Sequence, residues 1–144
     1  MAQTCIVAGG GPAGMMLGYL MARAGVHVTV VEKHPDFLRD FRGDTIHPST
    51  LEVMRELGLI DGLLKLPHTR AETLSAEIAG TTFRVADFSR LPVATRYIAF
   101  MPQWDFLNYL SSEASRLPCF RLMMETQSEA LLEEDGRVVG IRVR

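Results

Sequence analysis

Three glycines near the start of the chain have the spacing Gly9-x-Gly11-x-x-Gly14, between an apolar run and a helical pattern. At this spacing the first glycine allows a tight turn, the second lets the backbone approach a pyrophosphate, and the third lets helix and strand pack closely. The N-terminus of the following helix also presents free N–H groups to phosphate oxygens. The pattern therefore predicts a dinucleotide-binding turn, for which an ordinary glycine-rich turn is the alternative.

An acidic residue follows these glycines at the distance that a ribose contact requires. Glu32 ends the next β-branched run, and a carboxylate about 20 residues after such a motif accepts hydrogen bonds from ribose hydroxyls. The same carboxylate would repel a 2′-phosphate, so NADP is disfavoured as the ligand of this turn. The Lys-Ser/Thr pair that a P-loop needs does not follow Gly14, and a nucleoside triphosphate site of that type is therefore excluded.

The elements that must position these residues begin with a strand, a turn, a helix and a second strand. Up to residue 70 we predict, in order, a strand over 4–8, a helix over 12–24, a strand over 26–32, a long charged loop over 33–47, a helix over 48–57 and a short helical turn over 60–65. Pro12 and Pro48 begin the two long helices and Gly25 and Gly58 end them. The predicted apolar side of the second helix is formed by Leu51, Val53, Met54 and Leu57.

The second half of the chain changes to shorter strands. We predict strands over 72–78 and 82–88 that are joined around Gly80 and Thr81, a strand over 94–100, a helix over 103–116, a parallel strand over 122–126, and hairpin strands over 129–134 and 137–143. The helix is amphipathic, and its apolar face is formed by Phe106, Leu107, Leu110 and Ala114. Asp135-Gly136 is the dipeptide that two-residue hairpin turns prefer.

Size and composition limit the class of protein. A chain of 144 residues suits one domain with a real core, and 47% hydrophobic with 22% charged residues is typical of a soluble globular protein. The formal net charge of -2 without clustered basic residues argues against a nucleic-acid partner and leaves a small-molecule substrate. Cys5 and Cys119 lie far apart and form no disulfide framework, so we expect a cytoplasmic protein. The oligomeric state stays open.

Two further kinds of site are not expected. His27, His34 and His68 show no metal-ligand spacing with one another, and we therefore predict no metal. The apolar stretch over 5–22 lacks a preceding Lys or Arg and is interrupted by glycines. We therefore expect neither a secretory signal nor an integral membrane span.

Three motifs, taken in order, resemble the FAD-dependent aromatic hydroxylases, the para-hydroxybenzoate hydroxylase-like flavoprotein monooxygenases. They are the run from Gly9 to Gly14, Val30-Val31-Glu32-Lys33 at the end of the second predicted strand, and Arg42-Gly43 before a helix. The resemblance covers nearly all of the chain and is specific for the superfamily rather than for a substrate. It implies FAD as the cofactor, with contacts from Gly9, Gly11, Pro12, Ala13, Gly14, Glu32 and Lys33.

Three later positions receive a role through this resemblance. Arg42 matches an arginine that contacts the FAD pyrophosphate, and a guanidinium suits phosphate oxygens bidentately; a solvated surface residue is the alternative. Gln103 matches a glutamine that opens a helix and contacts FAD between flavin and phosphate, although many polar residues simply begin a helix. Gly43 permits close approach of the flavin or is only a flexible turn.

The resemblance also implies a fold and a function. The fold is α/β: a Rossmann-like FAD-binding fold with a βαβ start, an inserted β-strand pair, a C-terminal β-hairpin and an incomplete doubly wound sheet. We therefore expect residues 1–144 to be the FAD-binding domain, an N-terminal fragment of a longer flavoprotein that is not catalytically competent by itself.

The function implied is hydroxylation of an organic substrate, aromatic in that family, with O2 and with NAD(P)H as electron donor. The alternatives are a flavin-dependent reductase or oxidase of the same superfamily, an NAD-binding dehydrogenase domain without flavin, and a non-catalytic dinucleotide-binding module. No catalytic acid or base is assigned from the sequence.

Overall fold

The structure, a computed structural model, describes residues 4–38 and 44–144. Within these ranges the helices are α1 (Pro12–Arg23), α2 (Pro48–Glu56), α3 (Ile60–Leu63) and α4 (Gln103–Ala114). The strands are β1 (Thr4–Ala8), β2 (His27–Val31), β3 (Thr45–Ile46), β4 (Thr69–Ala71), β5 (Thr73–Ile78), β6 (Thr81–Asp87), β7 (Ile98–Phe100), β8 (Phe120–Met123), β9 (Ser128–Glu134) and β10 (Arg137–Val143). The chain is mixed α/β and divides into two compact units, the first made of Met1–Arg39 with Leu107–Arg144 and the second of Asp40–Phe106.

The first unit contains a parallel sheet in the order β1-β2-β8. The middle strand β2 pairs with β1 on one side and with β8 on the other. Its residues Val28, Val30 and Val31 are buried, which agrees with the apolar runs that strands of parallel sheets show. Because β1 and β2 are parallel, their carboxyl ends lie at the same edge, where Gly9 and Glu32 follow them.

Helix α1 packs closely on this sheet because it carries a glycine at the contact. A Cβ on Gly18 would lie 2.6 Å from Cγ2 of Val30 and 3.0 Å from Cε2 of Phe120. A larger residue would push the helix away from β2 and β8. The buried side chains of this helix are Met15, Tyr19 and Ala22.

Both long helices that precede residue 60 end at a glycine, as predicted. Gly25 has a φ of 81° and Gly58 a φ of 76°, in the left-handed region that glycine enters without a steric penalty. In each case the glycine N–H and the next N–H donate to carbonyls of the last turn at 2.8–3.0 Å. This pair of bonds is the Schellman arrangement, and it satisfies carbonyls that the helix leaves without partners.

Each of the two hairpins turns through a two-residue loop. Strands β9 and β10 are joined by Asp135, with a φ of 49°, and Gly136, with a φ of 73°. Strands β5 and β6 are joined by Ala79 and Gly80, with φ values of 50° and 76°. Positive φ at both positions is the type I′ turn. The first turn lies where the sequence predicts it, and the second lies one residue earlier because Thr81 already belongs to β6.

The second unit combines the hairpin β5-β6 with an antiparallel sheet in the order β3-β7-β4. The middle strand β7 contributes the buried residues Ile98 and Ala99. Helices α2 and α3 contribute Leu51, Met54 and Leu63, which have no exposed surface. The core of this unit is therefore formed by short elements that are far apart along the chain.

Several sequence predictions are corrected by the structure. Residues 45–46, predicted as part of a loop, form β3, and the strand predicted over 94–100 keeps only its last three residues as β7. The parallel strand predicted over 122–126 begins two residues earlier, at Phe120, and ends three residues earlier, at Met123. Val53, predicted on the apolar side of α2, is 39% exposed. Strand β4 was not predicted, because three residues are too short to show a period of their own.

Candidate cofactor site

The turn after β1 is tied directly to the end of β2. Gly9 has a φ of 109°, and this conformation favours glycine because L side chains rarely adopt it. Its N–H donates to the carbonyl oxygen of Val31 at 2.8 Å. The first glycine of the motif therefore makes the tight turn that the sequence predicts for it.

Gly14 lies against the strand that it follows. An ideal Cβ on Gly14 would be 2.0 Å from the carbonyl oxygen of Gly9 and 3.3 Å from Cγ1 of Val7. The 2.0 Å contact is with backbone, which cannot move aside without opening the turn. The third glycine therefore permits the close packing of helix and strand, and this packing fixes where the N-terminus of α1 lies.

The N-terminus of α1 is open to an anionic ligand. Gly11 is its N-cap residue, no side chain within residues 4–38 and 44–144 caps the helix, and no acidic residue lies in the first turn. Gly11, Pro12 and Ala13 are exposed, and a Cβ on Gly11 would meet no atom of the described residues within 4 Å. Pro12 has no N–H to donate. The N–H groups of Gly11, Ala13 and Gly14 can therefore donate to an anion at the positive end of the helix dipole of α1.

Glu32 connects the glycine turn to the loop after β2. It is a buried carboxylate, only 7% exposed. Its Oε2 accepts a hydrogen bond from the N–H of Gly10 at 2.8 Å. Its Oε1 accepts the N–H of His34 at 3.1 Å and lies 2.5 Å from Nδ1 of the same residue. These contacts use at least three of the roughly four acceptor positions of a carboxylate.

Gly10 is the residue of this site that the sequence prediction missed. A Cβ on Gly10 would lie 2.9 Å from Cβ of Glu32, so the middle glycine lets the acidic residue reach the turn. The signal was present in the run of consecutive glycines from Gly9 to Gly11. The spacing rule assigns reasons only to the first, second and third motif glycines, and it left Gly10 without one.

A cavity of about 380 Å³ lies beside this carboxylate. It is lined by Gly9, Glu32, Lys33, His34 and residues 126–128, which follow β8. Of these lining residues, Lys33 is exposed. Open parallel sheets bind ligands at the carboxyl ends of their strands, and this is the edge at which the cavity lies.

Gln103 belongs to the second unit, where Asp44 holds the start of α4. The carbonyl oxygen of Asp44 accepts the N–H of Met101 at 2.9 Å, and its Oδ1 accepts the N–H of Gln103 at 3.4 Å. Asp44 therefore supplies, from a remote part of the chain, the acceptor that an N-cap residue usually supplies.

Arg42 and Gly43, the other two predicted cofactor contacts, lie outside the described residues.

We expect Asp44→Ala to lower the free energy of unfolding by about 0.5–1 kcal/mol, because the first N–H of α4 loses its side-chain acceptor. Chemical denaturation followed by circular dichroism measures this change. Asp44→Asn is the matched control, since its amide oxygen can still accept the bond and most of the stability should return. Equal losses in both variants would show that the carboxylate does not act through this bond.

The part of the chain that the structure describes contains neither a cluster of metal ligands nor a membrane-spanning helix. No three His, Cys, Asp or Glu side chains within residues 4–38 and 44–144 come together as a metal site would require. No helix among these residues is long and apolar enough to cross a membrane. Cys5 and Cys119 are free and half-buried.

Comparison with known proteins identifies the family. The model of the FAD binding domain family matches residues 1–144. The chain is 32% identical over 139 residues to 6-methylpretetramide 4-monooxygenase of Streptomyces rimosus, which covers 96% of this chain and 33% of that relative. It is 28% identical over 144 residues to dialkyldecalin synthase of Streptomyces rugosporus, with 100% of this chain and 25% of the relative covered.

The fold is also similar to that of known FAD-dependent enzymes. The structure of the myxobacterial chondrochloren halogenase CndH, an FAD-dependent halogenase, superposes with a TM-score of 0.82 at 23% identity, over 99% of this chain and 33% of that one. The chain thus spans about a third or less of the length of these relatives. The match over residues 1–144 shows that this protein belongs to the FAD binding domain family, whose members include flavin-dependent monooxygenases.

Proposed function

We propose that the turn between β1 and α1 holds the diphosphate of FAD, in a monooxygenase that hydroxylates an organic substrate with O2 and NAD(P)H. The observation that carries this proposal is the N-terminus of α1, which no described side chain caps, beside a buried carboxylate. A diphosphate suits free N–H groups at a helix N-terminus. A ribose diol suits a carboxylate at the end of the second strand. Both groups occur together in the adenosine-diphosphate half of FAD.

Each predicted residue has a physical part in this proposal. The N–H groups of Gly11, Ala13 and Gly14 donate to the diphosphate, while Pro12 offers only its fixed φ and van der Waals contact. Glu32 accepts from the ribose. Lys33 is exposed and lines the same cavity as Glu32, and there it would contact FAD.

The remaining predicted contacts belong to the second half of the cofactor. Arg42 would pair with the pyrophosphate and Gly43 would permit close approach of the flavin. Gln103, at the start of α4, would contact FAD between flavin and phosphate. When bound, FAD supplies the electron transfer and the reaction with O2, and the protein binds and orients it.

The wider architecture is part of the same proposal. We infer that β1, α1 and β2 begin a Rossmann-like, doubly wound sheet, and that residues 1–144 form the FAD-binding domain of a longer flavoprotein. The coverage of only 33% and 25% of two relatives supports this inference. A cytoplasmic location agrees with two free cysteines in a reducing compartment.

The similar proteins are named for different reactions, so the comparisons indicate the cofactor more narrowly than the reaction. One relative is named a monooxygenase, another a synthase, and a structure of the same fold is a halogenase. A flavin-dependent reductase or oxidase, or a non-catalytic dinucleotide-binding module, is therefore the alternative function. A monooxygenase places an oxygen atom from O2 in its product, whereas an oxidase or reductase does not.

The test uses the full-length gene product, NADH or NADPH, a panel of phenols and oxygen gas enriched in the heavy isotope. The proposal expects a yellow protein with bound FAD, nicotinamide-dependent O2 consumption, and labelled oxygen in the product. Hydrogen peroxide without labelled product would favour an oxidase or reductase. A colourless protein that FAD does not protect against heat would reject FAD binding, since a ligand at 100 times its Kd stabilises the native state by about 2.7 kcal/mol.

A further inference from the structure

We propose that Asp44 is a positioning residue of the cofactor site, which fixes the start of α4 so that the side chain of Gln103 reaches FAD between flavin and phosphate. This inference rests on the proposed function, in which Gln103 contacts the second half of the cofactor. The motif spacing assigns no role to Asp44, because its contact with Gln103 joins positions that are 59 residues apart in the sequence.

A short antiparallel ladder brings Asp44 beside the residues that precede α4. Strand β3 pairs with β7, and Ile46 lies opposite Ala99. The residue before β3 therefore lies next to the residue after β7, and the carbonyl oxygen of Asp44 accepts the N–H of Met101 at 2.9 Å. Because Ile46, Ala99 and Met101 are buried, this ladder holds Asp44 in place.

The start of α4 needs an acceptor that the residue before it cannot supply. Pro102 precedes the helix, and its carbonyl oxygen accepts the N–H of Phe106 at 3.4 Å, as the carbonyl of an N-cap residue does. A proline side chain has no oxygen that could accept a further N–H. Oδ1 of Asp44 instead accepts the N–H of Gln103, the first residue of α4, at 3.4 Å.

These contacts fix the backbone on both sides of Pro102. Asp44 holds Met101 through its carbonyl oxygen and Gln103 through its carboxylate, and the proline ring between them locks φ at about −65°. The side chain of Gln103 therefore leaves the backbone from a fixed point. A group that is held in position before its ligand arrives loses less conformational entropy on binding. Asp44 thus strengthens FAD binding through Gln103 and not by a contact of its own.

The test is a double-mutant cycle on the full-length gene product after removal of its cofactor, with FAD affinity measured by isothermal calorimetry. Asp44→Ala should lower FAD affinity about three- to tenfold, within the coupling that contacting residues show. Asp44→Asn keeps an acceptor oxygen and should restore most of that affinity. Gln103→Ala removes the side chain but keeps the N–H that Asp44 accepts, so adding Asp44→Ala to it should lower FAD affinity by less than about twofold.

Titration with AMP separates the positioning of Gln103 from a general loss of structure. AMP has the adenosine and one phosphate but no flavin, so its affinity should be the same in the wild type and in Asp44→Ala. Asp87→Ala is the matched control, because Oδ1 of Asp87, at the end of β6, also accepts a backbone N–H, that of Ser89 at 3.1 Å. This control should leave the affinities for FAD and for AMP unchanged.

Three results would each show that the inference is wrong while the proposed function stands. They are wild-type FAD affinity in Asp44→Ala, an AMP affinity that falls as much as the FAD affinity, and the same loss of FAD affinity from Asp44→Ala with and without the Gln103 side chain. A wild-type protein that binds neither FAD nor AMP would overturn the proposed function as well.

Discussion

Replacing Gly14 by alanine should lower the free energy of unfolding by about 3 kcal/mol or more, at the upper end of the range for overpacking. The added Cβ would stand 2.0 Å from the carbonyl oxygen of Gly9, a separation that no atom pair of this kind tolerates. Helix α1 would have to move away from β1, and the N–H groups at its start would move with it. FAD binding should therefore be lost together with stability, as urea unfolding and FAD titration measure.

Gly11→Ala is the control that separates packing from cofactor contact. Gly11 has a φ of -72°, and its Cβ would meet no atom within 4 Å in the part of the chain that the structure describes. The stability of the cofactor-free protein should therefore change by about 0.5 kcal/mol or less, as for other exposed positions. FAD affinity should still fall about tenfold, or about 1.4 kcal/mol, since the new methyl group would stand where we propose that the diphosphate binds. A Gly14→Ala protein as stable as wild type would contradict the packing described for α1.

Glu32→Ala should weaken both the fold and FAD binding. The buried N–H of Gly10 would lose its acceptor, which costs about 1–3 kcal/mol when a buried donor is left unsatisfied. The ribose would lose a charged acceptor that contributes about 1.5–3 kcal/mol, so FAD affinity should fall about tenfold to a hundredfold. Thermal unfolding of the cofactor-free protein and calorimetric FAD titration measure the two effects separately.

Glu32→Gln is the milder comparison for this position. Its amide oxygen can still accept one bond, but the NH2 group cannot accept the second, so one backbone donor of Gly10 or His34 is left without its partner. Stability should lie between wild type and Glu32→Ala, and FAD affinity should fall because the negative charge is gone. FAD affinity equal to wild type in Glu32→Ala would show that this carboxylate serves the fold and not the cofactor.

The elements around the turn could be predicted because each has a local signal. Gly9 to Gly11 break the first strand, Pro12 begins the helix and Gly25 ends it, so β1, α1 and β2 were predicted within a residue or so of their bounds. The hairpin at Asp135-Gly136 was predicted for the same reason, since its turn type demands positive φ at both positions.

Elements that depend on pairing across the chain could not be predicted in this way. Strands β3 and β4 have only two and three residues, and both exist through hydrogen bonds with β7. The segment over 94–97 has the composition of a strand, but it has no partner strand among the residues that the structure describes. In these places tertiary pairing, which no local pattern encodes, decides the structure.

The sequence predicts which residues form the candidate site, but it does not predict the contacts between them. Spacing points to Gly9, Gly14 and Glu32, and the structure brings all three to one edge of the β1-β2-β8 sheet. Spacing does not show that Glu32 bonds to Gly10 and His34, because those contacts require the turn to fold back onto the end of β2. Nor does it show that Asp44 holds Gln103 across a long stretch of sequence.

The position of the diphosphate tests the central claim most directly, and a crystal structure of the full-length gene product grown with FAD measures it. We predict diphosphate oxygens within hydrogen-bond distance of the backbone N–H groups of Gly11, Ala13 or Gly14, and a ribose on the carboxylate of Glu32. FAD bound with its diphosphate away from the start of α1, or with its ribose away from Glu32, would contradict the account.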